Sequence, residues 1–199
     1  MTKLSRPSLK QSHKALPISA ALYDELLVTR AQSGDRQAAN RLYQRWNPRL
    51  ARAARRYGME DEAALDLAQE CWLAIFKGLA RLRDPRRFRS YAFAVLHRRG
   101  SDHIRKSLRE RGAMAEMEES DSTAPATQSD HAAITQAFAR LSPDQRLAAH
   151  LHFVEGLTLH EIAEVQQIPE GTAKTRILHA RRKLKAALNP SDNSQGDFA

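Results

Sequence analysis

Apolar residues recur with the spacing of amphipathic helices from about residue 20 to residue 110. The first apolar face runs from Tyr23 to Gly34, and Asp35 then stands where it can cap a second helix. Pro48 is expected to kink that second helix part way along. Its apolar face comprises Leu42, Trp46, Leu50, Ala53 and Tyr57. The pattern predicts an all-α first module.

Two further helices complete the predicted first module. The third begins in the acidic cluster at 60–62, which is favourable near a helix N-terminus, and its predicted core positions are Ala68, Cys71, Trp72, Ile75 and Leu79. The fourth runs from about Ser90 to Leu108, in a basic stretch that also carries Phe88, Tyr91 and Phe93. Basic side chains interleaved with aromatic ones can hold a phosphate backbone and stack on exposed bases.

The pattern near the C-terminus predicts a helix-turn-helix over about 158–184. Thr158 and Glu161 have the spacing of a capping box, and Pro169 suits the first turn of a second helix. One face of that helix is apolar, with Ala173, Ile177, Ala180 and Leu184, whereas the opposite face and flanks are basic. A basic outward face is what docking in the DNA major groove requires. The alternative is an amphipathic helix pair whose charges only keep a surface solvated.

Composition divides the chain into two small helical domains joined by a flexible acidic linker. The linker at 112–130 contains acidic residues, Ser, Thr and Ala but no Lys or Arg. It separates a first domain at 21–111 from a second at 131–188. The basic segment 1–20 and the segment 189–199 are predicted to be disordered tails.

Charge and motif content narrow the class of function. The net charge of +9, from 32 Lys and Arg against 23 Asp and Glu, favours a polyanionic partner, although ribosomal, RNA and membrane-surface partners fit it equally well. Phosphate-binding loop and HExxH motifs are missing, and His150 and His152 point to different faces of one helix, so we expect no enzyme, cofactor or metal site. The single Cys71 and the lack of a membrane-length apolar run predict a soluble cytoplasmic protein.

Specific segments carry a family resemblance. The first module resembles the promoter-melting domain of bacterial sigma factors in segments 31–35, 42–45, 48–50, 66–70, 88–91 and 102–105. The second is similar to the promoter-binding domain of the same family in segments 141–143, 155–158, 161–163 and 168–176. Because only a linker separates these domains, the chain is similar to the small extracytoplasmic-function (ECF) group.

The resemblance implies a sigma factor that binds core RNA polymerase and directs promoter-specific transcription initiation. The residues implied to contact the minus-thirty-five element as duplex DNA are Thr172, Lys174, Thr175, Arg176, His179 and Arg182. Those implied to capture the minus-ten element as single-stranded DNA are Phe88, Tyr91, Arg98, Arg99, Arg105 and Lys106. Those implied to face polymerase are Asp66, Gln69 and Glu70. No small-molecule substrate is implied, and an anti-sigma factor that holds the protein at the inner membrane is left open.

Some positions depart from the usual pattern of the family. Gln166 and Gln167 stand where Leu and Gly are usual, so the turn loses apolar filling and an easy left-handed residue. Arg98 replaces a customary Asn and His179 a common Arg, so base contacts and promoter sequence cannot be carried over. The linker fits either a nucleic-acid mimic or a passive tether. The alternative function is a stand-alone helix-turn-helix regulator that binds duplex DNA without polymerase, usually as a dimer on a palindrome.

Overall fold

A computed structural model describes residues 18–57, 59–114, 137–138 and 140–188, and the regular structure in these ranges is helical. The first module comprises α1 (Ile18–Gln32), α2 (Arg36–Ala54), α3 (Asp61–Leu79) and α4 (Phe88–Met114), with short 3₁₀ turns at Arg55–Tyr57 and Pro85–Arg87. The second comprises α5 (Pro143–Phe153), α6 (Leu159–Gln166) and α7 (Glu170–Leu188). The all-α prediction is confirmed for the described part of the chain.

Helix boundaries differ from the prediction at two places. Helix α1 begins at Ile18, so residues 18–20 belong to a helix and not to the predicted tail, since Ala and Leu near its start favour helix. Helix α4 begins at Phe88, because Asp84 caps the preceding 3₁₀ turn and that turn leads directly into it. It continues to Met114, past the predicted linker start at residue 112. The rest of the predicted linker and tails lies outside the described residues.

Aromatic side chains organise the core of the first module. The indole of Trp46 makes edge contacts with the rings of Phe88 and Phe93, at centroid separations of 5.2 and 6.1 Å. Cys71 is completely buried in the same core, and this burial raises the pKa of its thiol to about 12.

The helix-turn-helix forms as predicted, with a polar turn. Thr158 Oγ1 accepts a hydrogen bond from the Glu161 N–H (3.2 Å), and the Glu161 carboxylate accepts one from the Thr158 N–H (2.8 Å). Gln167 adopts the left-handed conformation (φ 53°) that the family usually gives to Gly. Gln166 is buried, but its amide donates to the Asp144 carbonyl and accepts from Arg176, both at 3.0 Å. Hydrogen bonds therefore replace the apolar filling expected at this turn.

The two modules pack against each other. Helix α4 contacts α6, the 3₁₀ turn after α2 contacts α5, and one apolar cluster includes Leu96 of the first module and Ile162 of the second. Beside this cluster, the Arg49 guanidinium donates two hydrogen bonds to the Glu155 carboxylate. His150 is fully buried, and its Nε2 lies 3.5 Å from the Glu155 carboxylate, long for a strong hydrogen bond. The packing therefore buries ionisable groups along with apolar ones.

We expect Gly100→Ala to destabilise the protein. A Cβ at this position would lie 2.5 Å from Cζ of the buried Tyr57 ring. Overpacking costs about 1–3 kcal/mol, and the better helix propensity of Ala returns up to about 1 kcal/mol. The melting temperature should therefore fall by several degrees, measured by circular dichroism. Gly171→Ala is the matched control, since nothing lies within 4 Å of its Cβ, and it should not lower the melting temperature. Equal melting temperatures for the two variants would contradict the close packing of Gly100 against the Tyr57 ring.

We expect stability to fall as the pH drops from 7 to 5, in part through His150. Burial lowers the pKa of this imidazole below its ordinary value of 6.5. The unfolded chain therefore takes up a proton more readily than the folded one below that pH, which favours unfolding. His150→Leu should flatten the pH dependence of the unfolding free energy, measured by urea denaturation at pH 7 and pH 5. His103→Leu, which removes an exposed imidazole, is the control. An equally steep dependence for His150→Leu would rule out this contribution.

Candidate nucleic-acid and protein interfaces

Helix α7 presents a polar and basic face away from the core. Ala173, Ile177 and Ala180 anchor it through buried side chains on the opposite face. Five of the six residues predicted to contact duplex DNA are exposed, namely Thr172, Lys174, Thr175, His179 and Arg182. A helix with this free cationic surface has the shape and charge to enter a major groove.

Arg176, the sixth predicted duplex contact, is turned toward its own module. Its guanidinium lies 2.7 Å from the Asp144 carboxylate on α5 and donates to Gln166 Oε1 at the end of α6. The side chain keeps 23% of its surface exposed. Arg176 therefore ties the three helices of the motif together, and only part of it is available to DNA.

The predicted melting helix α4 carries its basic residues on the open side. Arg98, Arg105 and Lys106 are exposed, and Arg105 lies 3.2 Å from the carboxylate of Asp102 one turn earlier. Arg99 is partly exposed and makes a 3.4 Å ion pair with Glu70 of α3. These positions form a cationic surface suited to a nucleic-acid backbone.

The aromatic residues of this helix differ from one another in accessibility. Phe88 is 1% exposed and its ring packs against Trp46, so in this arrangement it has no face free to stack on a base. Tyr91 is half-buried, and its hydroxyl donates to the Ile75 carbonyl at 3.3 Å. Phe93 is fully buried. Tyr91 is therefore the aromatic residue of the predicted melting set with surface still open to solvent.

Helix α3 exposes the three residues predicted to face polymerase, with apolar neighbours that the sequence reasoning missed. Asp66, Gln69 and Glu70 are all exposed. The same side of the helix exposes three large apolar residues: Leu65 (44%), Leu73 (65%) and Phe76 (38%). Their helical spacing, out of phase with the predicted core positions, was the signal available in the sequence. An exposed apolar stripe beside polar and acidic groups is typical of a protein-binding surface.

The described ranges hold neither a metal-binding cluster nor a membrane-spanning helix. No group of three or more His, Cys, Asp or Glu residues in them could hold a metal ion. None of the helices described above is both long enough and apolar enough to span a bilayer.

Two family models match the chain, in the same order as the two modules. Residues 42–110 match the model described as Sigma-70 region 2, and residues 131–184 match the model described as Sigma-70, region 4. Together the matched segments cover more than half of the chain.

Curated relatives and solved structures agree with these matches. The chain is 27% identical to the RNA polymerase sigma-H factor of Pseudomonas aeruginosa, over 84% of this chain and 94% of the relative. It is 23% identical to the ECF RNA polymerase sigma-E factor of Escherichia coli K12, over 87% and 98%. CnrH, solved with the cytosolic domain of CnrY, aligns with a TM-score of 0.62 at 25% identity, over 85% of this chain and 99% of that one. Sigma factor RpoE of Bartonella quintana, solved with the anti-sigma factor NepR, shares the fold (TM-score 0.65, 23% identity, 76% and 97% covered).

Proposed function

The chain belongs to the ECF group of bacterial RNA polymerase sigma factors, and we propose how its two modules divide the work of directing promoter-specific initiation. The observation that carries the proposal is the order of the two matched regions, with a solvent-exposed basic helix in each module. The first module binds core polymerase and opens the minus-ten element. The second binds the minus-thirty-five element as duplex DNA.

We assign upstream recognition to the exposed face of α7. Thr175, His179 and Arg182 lie at its centre and would reach base edges, whereas Thr172 and Lys174 at its sides would contact phosphates. Arg176 would contact DNA from the edge of this face and would keep its bond to Asp144 as a support. Phosphate contacts should make binding steeply dependent on salt.

We assign capture of the open strand to the exposed side of α4. Arg98, Arg99, Arg105 and Lys106 would hold the backbone, and Tyr91 would stack on a base. Phe88 supports this surface from within the core and belongs to the contact set only if its ring is released from Trp46.

We assign polymerase binding to the outer face of α3. Asp66, Gln69 and Glu70 would pair with basic and polar groups of the polymerase, and the apolar stripe would pack against it. The protein is proposed to act in the cytoplasm, where core polymerase and promoter DNA are. An anti-sigma factor, the class of partner named for the Bartonella protein, is proposed as a second partner. Tethering to the inner membrane through such a partner is part of the proposal.

In vitro transcription tests the function directly. Core polymerase with the purified protein should start RNA chains at defined sites in a genomic DNA library, whereas core polymerase alone should not. A stand-alone regulator would instead bind a duplex tightly without polymerase and leave initiation by the core enzyme unchanged. The second result would overturn the proposal.

We expect Asp66→Lys to weaken the complex with core polymerase by about tenfold or more, because it reverses a charge at the proposed contact. Native gel titration of core polymerase measures the effect. Glu60→Lys makes the same charge change at the N-cap of α3, before the exposed face begins, and should bind as the wild type does. Circular dichroism should show both variants folded. Equal affinities for both variants would exclude this surface.

We expect Arg182→Ala to weaken binding of the holoenzyme to a minus-thirty-five duplex by about tenfold, the cost of losing one good base contact. If Arg182 binds a phosphate, the slope of log K against log salt should fall by about one. Lys183→Ala is the matched control on the same helix, since Lys183 points toward Arg140 and Gln145. Fluorescence anisotropy with labelled DNA measures both. Equal binding by both variants would refute the assignment.

A further inference from the structure

Gly78 lies one residue before the end of α3, at a point where the backbone does not require glycine. The described glycines with a positive φ are Gly34 and Gly156, whereas Gly78 has the ordinary backbone of a helix. Glycine inside a helix is less favourable than alanine, because it loses more conformational freedom on folding. The surroundings of residue 78, and not its backbone, therefore explain why a side chain is missing there.

The space beside Gly78 is filled by the hydroxyl of Tyr91 from α4. A Cβ on residue 78 would overlap the Tyr91 hydroxyl oxygen and lie 3.4 Å from its Cζ. The same hydroxyl donates a hydrogen bond to the Ile75 carbonyl of α3, at 3.3 Å. Burial raises the pKa of this phenol above its ordinary value, so the hydroxyl keeps the proton that it donates. The tip of the Tyr91 ring thus reaches the backbone of α3 only because residue 78 is glycine.

The end of α3 is held in place from a third helix. The side-chain amide of Gln32 on α1 donates to the carbonyls of Leu79 (2.9 Å) and Leu82 (2.7 Å). The Tyr91 hydroxyl, by contrast, sits at the tip of a rigid ring that rotates about two side-chain torsions and has no other way to move aside. A Cβ at residue 78 would therefore displace the Tyr91 ring and not the end of α3.

Tyr91 stands at the head of the basic face of α4. Tyr91, Arg98 and Arg105 recur every seven residues, which places them along one side of the helix. The charge of Arg98 is close enough to act on the pKa of the Tyr91 phenol, in the direction opposite to burial. The position of the ring therefore sets where a stacked base would lie relative to the cations that hold the phosphates.

We propose that Gly78 is a positioning residue for promoter opening: its missing side chain seats the Tyr91 hydroxyl on α3 and thereby fixes the ring at the exposed side of α4. The proposal rests on the proposed function, in which Tyr91 stacks on a base of the open strand. Gly78 acts only through Tyr91. A change at residue 78 should therefore be corrected by a change at residue 91 that gives the space back.

Removal of the hydroxyl tests this relationship in holoenzyme. Gly78→Ala should slow opening of the minus-ten element about tenfold, the order of effect of losing one base–aromatic stack. Tyr91→Phe keeps the ring and should open the promoter at close to the wild-type rate. The double variant should return to the rate of Tyr91→Phe, because the nearest ring carbon lies 3.4 Å from the new Cβ, an ordinary contact. The fluorescence of 2-aminopurine in the minus-ten element measures opening, and the affinity of the closed complex should be the same for all four proteins.

Gly78→Ala combined with Tyr43→Phe is the matched control. Tyr43 packs on Trp72 in the same module, at a centroid separation of 5.1 Å, and its hydroxyl is not among the nearest neighbours of Gly78. This variant should stay as slow as Gly78→Ala. A wild-type opening rate for Gly78→Ala would overturn the proposal. A Gly78→Ala, Tyr91→Phe variant that stays slow, or a loss confined to the affinity of the closed complex, would overturn it as well, since the effect would then not pass through the ring.

Circular dichroism establishes that each variant is folded at the temperature of the assay. Should Gly78→Ala alone not fold, Tyr91→Phe should restore the fold together with promoter opening. A double variant that also fails to fold would overturn the proposal, because Tyr91→Phe removes the overlap that the structure identifies.

Nuclear magnetic resonance of the free protein separates the positioning role from the proposed function. With ring-labelled tyrosine, the Tyr91 resonance is the one missing from Tyr91→Phe. It should shift in Gly78→Ala, whereas the resonances of the other three tyrosines should stay in place. An unchanged Tyr91 resonance would overturn the positioning role even if the wild type directs transcription. Failure of the wild type to direct initiation, with the Tyr91 resonance shifted as expected, would overturn the proposed function instead.

Discussion

The buried pair of Arg49 and Glu155 restricts how the two modules can meet. Arg49 lies over the Trp46 ring, 4.0 Å from its centroid, and its guanidinium is therefore held where only a matching carboxylate can satisfy it. Glu155 is 5% exposed and sits between this guanidinium and His150. Because a charge removed from water needs a partner, sliding one module along the other would leave both groups unpaired. The orientation of α6 against α4 follows from this constraint.

Local rules were sufficient to predict the helices and the ends that side chains cap. Asp35 accepts hydrogen bonds from the N–H groups of Gln37 and Ala38, and Thr158 forms its box with Glu161, as their positions in sequence indicated. Ser142 and Gln145 also have the spacing of a capping box, but only half of that box forms. It accepts from the Gln145 N–H at 3.4 Å, whereas the Gln145 side chain accepts from Lys183. The capping-box rule considers four consecutive residues, so it cannot predict that Lys183 of another helix binds the Gln145 side chain.

The contact between the modules lay beyond sequence reasoning for the same reason. Arg49 and Glu155 are 106 positions apart, and no periodicity links them. The exposed apolar residues of α3 could have been predicted from the sequence, because Leu65, Leu73 and Phe76 fall out of phase with the core positions of that helix. The candidate DNA residues of α7 were predicted as a face, but the inward turn of Arg176 depends on Asp144 and Gln166, two residues that a helical wheel does not include.

The state of the only cysteine decides how this protein can respond to oxidants. Thiol chemistry proceeds through the thiolate, and the buried Cys71 keeps its proton far above physiological pH. Peroxide or a disulfide reagent therefore meets no reactive sulfur of this kind while the first module stays folded. A redox signal that depends on thiol chemistry can therefore act on the folded protein only through another molecule that binds to it.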